Sequence, residues 1–167
     1  MQISFSGTHG TGKSTSAACE YRNQKILHPG KSVYMLCDLE ALCPFPINMG
    51  TTEQAQSWIF AQQIQHEIQA TAKFDIVITD RTIVDTIAYT YVAGFETLAS
   101  GMLGYAEQYV EAYDSITVKQ MEYNSYCHHD GIRNTDHGFR TAVESVLKDL
   151  YKQLKDAGAI HANLHFA

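Results

Sequence analysis

The sequence reads as an α/β protein, a three-layer α/β/α arrangement around a five-stranded parallel sheet. Short, mostly apolar runs near residues 3–5, 32–36, 74–79, 115–118 and 159–164 alternate with longer stretches of helical spacing. Strands this apolar need cover on both faces, as parallel sheets have. The octet Gly7-Thr8-His9-Gly10-Thr11-Gly12-Lys13-Ser14 directly follows the first run. It spells G-x-x-x-x-G-K-[ST], a phosphate cradle between a strand and a helix.

After the cradle, residues 13–27 read as a helix, ended by His28-Pro29-Gly30-Lys31. Residues 32–36 form the second strand. The prolines at 44 and 46 keep the stretch from Asp38 to Asn48 out of regular helix, because each lacks an N–H. From Thr52, with Thr51 or Thr52 as cap, Trp58, Ala61, Ile64, Ile68 and Ala72 recur at steps of three and four, which predicts one apolar helix face. Residues 74–79 are the clearest strand, dense in β-branched side chains and ending in Asp80-Arg81. Residues 82–93 return to helical spacing, and a second helix near 95–112 is expected to be broken or softened by Gly101 and Gly104. A fourth strand spans 115–118. Residues 119–138 turn polar, and the helix at 139–156 carries Phe139, Val143, Val146, Leu147, Leu150 and Leu154 on one face before Gly158. A fifth strand follows at 159–164.

A chain of 167 residues suits one domain, with an acceptor-side loop near 38–52 and a lid near 119–140. No segment is apolar enough to span a bilayer and no signal peptide is visible, so the expected location is cytoplasmic. A formal charge of −6 disfavours a broad grip on nucleic acid. Cysteines 19, 37, 43 and 127 form no CxxC pair. Cys127-His128-His129 with Cys37 and Cys43 carry zinc-type ligands, but free thiols are the expectation, with Cys19 and Cys37 as small buried hydrophobes.

The octet predicts a nucleoside triphosphate site made of Gly7, His9, Gly10, Thr11, Gly12, Lys13, Ser14 and Thr15. Lys13 would reach the β- and γ-phosphates and Ser14 would ligate Mg²⁺. Phosphoryl transfer also needs an acid that orients the metal, cations for developing charge, and an acceptor in line. Asp80 ends an apolar strand and suits the metal, or caps the next helix. Arg81 offers a planar five-donor fork to a phosphate, or pairs with Asp85. Asp38 and Glu40 follow the second strand, and either can serve as base toward an acceptor hydroxyl, Asp38 being favoured. Arg133 and Arg140 lie in or beside the polar stretch and predict a lid that closes on phosphates. Gln56 and Gln62 are candidate base readers and Phe45 a candidate wall of the acceptor pocket.

The P-loop GTHGTGKST, the strand FDIVITDR followed by Thr82 and Asp85, and the segment DGIRNTDHGFR together resemble the small AAA-labelled P-loop kinases related to ribosylnicotinamide kinase domains and deoxynucleoside kinases. The resemblance spans most of the chain. It implies a kinase-type P-loop NTPase fold using ATP and Mg²⁺, with Arg133 and Arg140 approaching ATP phosphates and Asp80-Arg81 serving metal and acceptor. Compact members of this kind are frequent in bacteriophages. A GTPase would show Asn-Lys-x-Asp where this chain has Val118-Lys119-Gln120-Met121. ATPases of the ring and transporter types want Asp-Glu where Asp80-Arg81 stands. The expected function is transfer of the γ-phosphoryl group of ATP to a nucleoside or (deoxy)nucleoside monophosphate. A kinase acting on a polynucleotide 5′ end or modified base, and an ATP-binding switch with weak ATPase activity, are the alternatives. Oligomeric state is open, a dimer included.

Overall fold

The three layers have their two cores on opposite faces of one sheet. In the computed structural model, which describes residues 1–47, 50–121 and 136–167, the order is β1 (Gln2–Ser6), α1 (Lys13–Leu27), β2 (Val33–Leu36), α2 (Glu53–Thr71), β3 (Ile76–Thr79), α3 (Ile83–Val92), α4 (Glu96–Tyr109), β4 (Ser115–Val118), α5 (His137–Asp156) and β5 (Asn163–Phe166). All four strand pairings are parallel, in the spatial order β2-β3-β1-β4-β5. On one face, Ala17 of α1 packs with Phe5, Val33, Ile76 and Ile78. On the other, α3, α4 and α5 bury Ile87, Ala106, Leu147 and Leu154 together with Ile116 and Val118. Burying strands on both sides explains why every residue of β3 is apolar or internally bonded, Thr79 Oγ1 donating to Ser4 Oγ at 2.8 Å.

Parallel register sets the carboxyl ends of the strands side by side: Ser6 lies opposite Val118, Ser4 opposite Thr79 and Leu36 opposite Thr79. The loops after β1, β2 and β3 therefore open on one edge, where ligands of such sheets bind.

Four expectations need correction. The buried face of α2 consists of Ala55, Gln56, Ile59, Gln63, Glu67 and Ala70. Trp58 and Ile64 are only half-buried, Ala61 and Ala72 are exposed, and Ile68 is 53% exposed. Apolar periodicity pointed to the neighbouring stripe because three of the buried residues are polar and satisfied internally. Helix α4 runs unbroken through Gly101 and Gly104, which face solvent with open space around them. Cys19 is exposed rather than buried, and Cys37 falls just beyond β2. The last strand is β5 at Asn163–Phe166, set by pairing with β4, and Ala159 to Ala162 precede it. Thr52 is the cap of α2, its side chain accepting from Ala55 N. Among the described residues no helix is long and apolar enough to cross a membrane.

Gly7 is where β1 leaves the sheet. Its φ is 144°, and a Cβ there would fall 2.5 Å from the Lys119 carbonyl oxygen. Backbone strain and a clash with another main chain act together. Gly7→Ala is expected to cost roughly 2–4 kcal/mol, read as a lower denaturant midpoint at unchanged slope.

Candidate active site

The cradle turns from strand to helix through Gly12, whose left-handed φ of 77° caps α1 with no side-chain cap bond among the described residues, the kind of helix start that takes anions. Lys13 lies back over the loop and donates from Nζ to the Thr8 carbonyl at 2.7 Å. Burial, reinforced by Arg81, lowers the Lys13 pKa to about 8. Ser14 Oγ donates to Asp80 Oδ2 at 2.5 Å. The other oxygen, Asp80 Oδ1, is buried with no hydrogen-bond partner among the described residues. Burial raises the Asp80 pKa, against the pull of Ser14 and Lys13. An orphaned carboxylate oxygen beside a serine hydroxyl is a hard-oxygen pair of the kind Mg²⁺ takes, so these residues fit the expected metal. Among the described residues no group of three or more His, Cys, Asp and Glu could hold a metal. Cys127, His128 and His129 lie outside the described residues.

Across this pocket stands an ion pair. Arg81 Nε donates to Glu40 Oε1 at 2.9 Å and Arg81 Nη2 lies 2.8 Å from the same oxygen. The guanidinium also sits 5.3 Å from the centre of the Tyr89 ring. Burial would raise the Glu40 pKa, but Arg81 outweighs it and holds the carboxyl down at about 2. Glu40 holds Arg81 protonated well above its ordinary range, against burial. Arg81 thus pairs with Glu40 rather than Asp85. The chain reaches this geometry through Asp38, whose positive φ of 55° turns it into the short 3₁₀ segment Leu39–Leu42. Asp and Asn are the ordinary non-glycine residues for that conformation.

Two cavities share this wall. One is the polar phosphate pocket, lined by Gly10, Gly12, Lys13, Ser14, Thr15, Asp38 and Asp80. The other is a mostly apolar cleft lined by Ile47, Ile59, Tyr89 and Phe139 with Thr51, Gln56 and Thr86. His9, Glu40 and Arg81 line both. Gln56 is held with its amide donating to Thr51 Oγ1 and accepting from Thr90 Oγ1. Gln62 instead bonds Gln65 at the surface, and Phe45 is 38% exposed and not among the lining residues.

Arg140 is 2% exposed in the first turn of α5 and donates from Nε to the His9 carbonyl at 2.8 Å. It stands at the start of the helix that follows the polar stretch, as expected, and reaches the backbone of the cradle. Arg133, and the expected lid through residues 122–135, lie outside the described residues. Asp136 caps α5 by accepting from Phe139 N. Asp80 does not cap α3; Thr82 does, with Asp85 accepting from Thr82 N and Oγ1 while its second oxygen accepts from Gly7 N. Asp85 therefore ties the start of the cradle to the end of β3. Tyr89 and Asp85 had no such roles in the sequence reading, although the i+3 spacing of Thr82 and Asp85 is a capping signal.

No protein-family model and no curated sequence matches the chain. Solved structures do. A deoxyadenosine kinase from M. mycoides, with products dCMP and dCDP bound, superposes with a TM-score of 0.67 at 15% identity over 100% of this chain and 90% of that one. A thymidylate kinase from Ehrlichia chaffeensis gives 0.66 at 18% identity over 99% and 85%. A thymidylate kinase from Candida albicans gives 0.67 at 18% over 99% and 84%. At these identities the likeness is one of fold: the chain has the α/β fold of small P-loop nucleotide kinases.

Proposed function

We propose that the protein moves the γ-phosphoryl group of ATP to a nucleoside or (deoxy)nucleoside monophosphate, in nucleotide metabolism. One observation carries this: the phosphate pocket and the apolar cleft meet at a single wall, formed by His9 and the Glu40–Arg81 pair. A donor phosphate on one side and an acceptor on the other would meet in line there, which is what transfer without hydrolysis requires. The names of the structural neighbours, a deoxyadenosine kinase and two thymidylate kinases, support both acceptor classes.

In this reading Lys13 and the cradle N–H groups take the β- and γ-phosphates, and binding lifts Lys13 from its ligand-free pKa of about 8. Ser14 Oγ and Asp80 would hold Mg²⁺, which when bound neutralises charge across the phosphates. Arg81, fixed between Glu40 and the Tyr89 ring, presents its free donors to the moving phosphoryl group. Glu40 is placed to take the proton of an acceptor hydroxyl. With its pKa near 2 it does so late, once bond formation to phosphorus has made that hydroxyl acidic. The cleft residues Ile59, Tyr89 and Phe139 would cover a base, and Gln56 would read its edge. A monophosphate acceptor would instead place its phosphate on Arg81.

ADP release measured with Mg·ATP alone, and with a panel of nucleosides, monophosphates and oligonucleotides, tests the proposal. Stimulation by nucleosides or monophosphates is expected. Stimulation by oligonucleotides alone would favour a polynucleotide kinase, and none at all a switch module.

A further inference from the structure

Behind the shared wall lies a buried carboxylate that the transfer scheme does not use. Glu67, in the last third of α2, is 0% exposed. Its oxygens accept from Gln63 Nε2 at 2.6 Å, Tyr109 OH at 2.9 Å and Tyr113 OH at 3.0 and 3.2 Å. An apolar side chain would fill this space without the cost of desolvating a charge. What a carboxylate adds is several acceptor sites at one point.

Two of its donors go on to the active-site segment. Gln63 Nε2 also donates to the Arg81 carbonyl at 3.2 Å, and Tyr113 OH accepts from Ile83 N at 3.1 Å. The backbone is gripped on both sides of Thr82, immediately after Arg81. We propose that Glu67 is a positioning residue: through Gln63 and Tyr113 it fixes the Arg81–Ile83 backbone, and so the direction in which the Arg81 guanidinium meets Glu40 and the phosphoryl group. The functional part of this rests on the kinase reading above; the structural part does not.

The brace depends on charge state. Ionised Glu67 accepts from every partner it has. A protonated Glu67 brings a donor into a ring of donors: only the Tyr109 and Tyr113 hydroxyl oxygens, at 2.9 Å and 3.0 Å, could accept its proton, and the tyrosine that does so must turn its own O–H away from the carboxyl. Burial raises the Glu67 pKa to about 7, its hydrogen bonds opposing. The polar and titratable groups facing it are Gln63 on its own helix, Gln2 of β1, Tyr109 at the end of α4 and Tyr113 before β4, with Tyr151 of α5 feeling its charge. The brace is therefore complete above neutral pH and loosens below it.

The test follows the Ile83 and Thr82 amide resonances of the full-length ligand-free protein between about pH 5.5 and 8.5, together with transfer kinetics. In the wild type the Ile83 amide should titrate with a midpoint of about 7, and kcat should rise through the same region. Glu67→Gln should abolish that inflection in both readouts and lower kcat about tenfold at the alkaline end, with KM for ATP changed by less than about twofold. Tyr113→Phe, which keeps the ring in the core, should reproduce the kcat loss. An Ile83 amide insensitive to pH in the wild type, or a folded Glu67→Gln protein with wild-type kcat and pH profile, overturns the brace. Should Glu67→Gln not fold, the wild-type titration and Tyr113→Phe decide it. A wild type that transfers no phosphate while Ile83 still follows Glu67 overturns the kinase reading instead.

Discussion

Lys13→Met is expected to reduce phosphoryl transfer by on the order of 10³-fold or more, and at the same time to make the ligand-free protein more stable. The first effect removes the cation that the cradle aims at the phosphates. The second follows from burial. Lys13 is 6% exposed, its pKa is lowered from 10.5 to about 8, and its bond to the Thr8 carbonyl returns only part of the cost. The folded protein thus binds fewer protons at Lys13 than the unfolded chain between about pH 8 and 10.5, so its stability rises with pH across that window and the whole penalty is present at neutral pH. Allowing about 1 kcal/mol for the lost hydrogen bond, the methionine variant gains roughly 2 kcal/mol near neutrality. Thermal unfolding should show a higher midpoint at neutral pH, and a difference that shrinks as pH passes through that window. A destabilised variant with intact turnover would remove Lys13 from the phosphate site.

Glu40→Gln should be the second large effect, slowing transfer to a nucleoside hydroxyl by about 10²–10⁴-fold. In the proposed scheme it removes the proton acceptor, and it releases Arg81, which the pair holds at 2.8 Å. Asp38→Asn should be much milder, under about tenfold, because asparagine keeps the left-handed turn that carries Glu40 to Arg81. With a monophosphate acceptor, which needs no base, Glu40→Gln should lose less than with a nucleoside. Comparing kcat/KM for both variants on both acceptors separates the roles. A larger loss at Asp38 than at Glu40 would return the base to Asp38. The pair also sets the acid limb of stability. The Glu40 pKa is depressed from 4.5 to about 2, so its contribution is present above the unfolded value and is lost as pH falls toward 2.

Much of this was legible in the residues. The octet, and the apolar runs that end in Asp38 and Asp80-Arg81, place the P-loop, Asp80 and Arg81 on one sheet edge, because in a parallel sheet the end of a strand is also its address. What was illegible shares a cause. Glu67, Gln63 and Gln56 are buried polar residues, and hydropathy periodicity reads them as solvent-facing, so it chose the wrong face of α2, although Gln56 was named for its amide chemistry. Their partners Tyr109, Tyr113 and Thr90 are distant in sequence, and only the fold brings them together. Arg140 was expected near phosphates from its place beside the polar stretch and from the family resemblance, and it donates to the cradle's own backbone at His9. That Glu40 and not Asp38 meets Arg81 turns on one positive φ, which no residue pattern specifies.

In the proposed reaction phosphate crosses the Glu40–Arg81 wall from cradle to cleft. Mass spectrometry of a reaction containing Mg·ATP and the acceptor that most stimulates ADP release tests it directly. One phosphorylated acceptor should appear for each ADP formed, with little free phosphate. ADP matched by inorganic phosphate and an unmodified acceptor would contradict it.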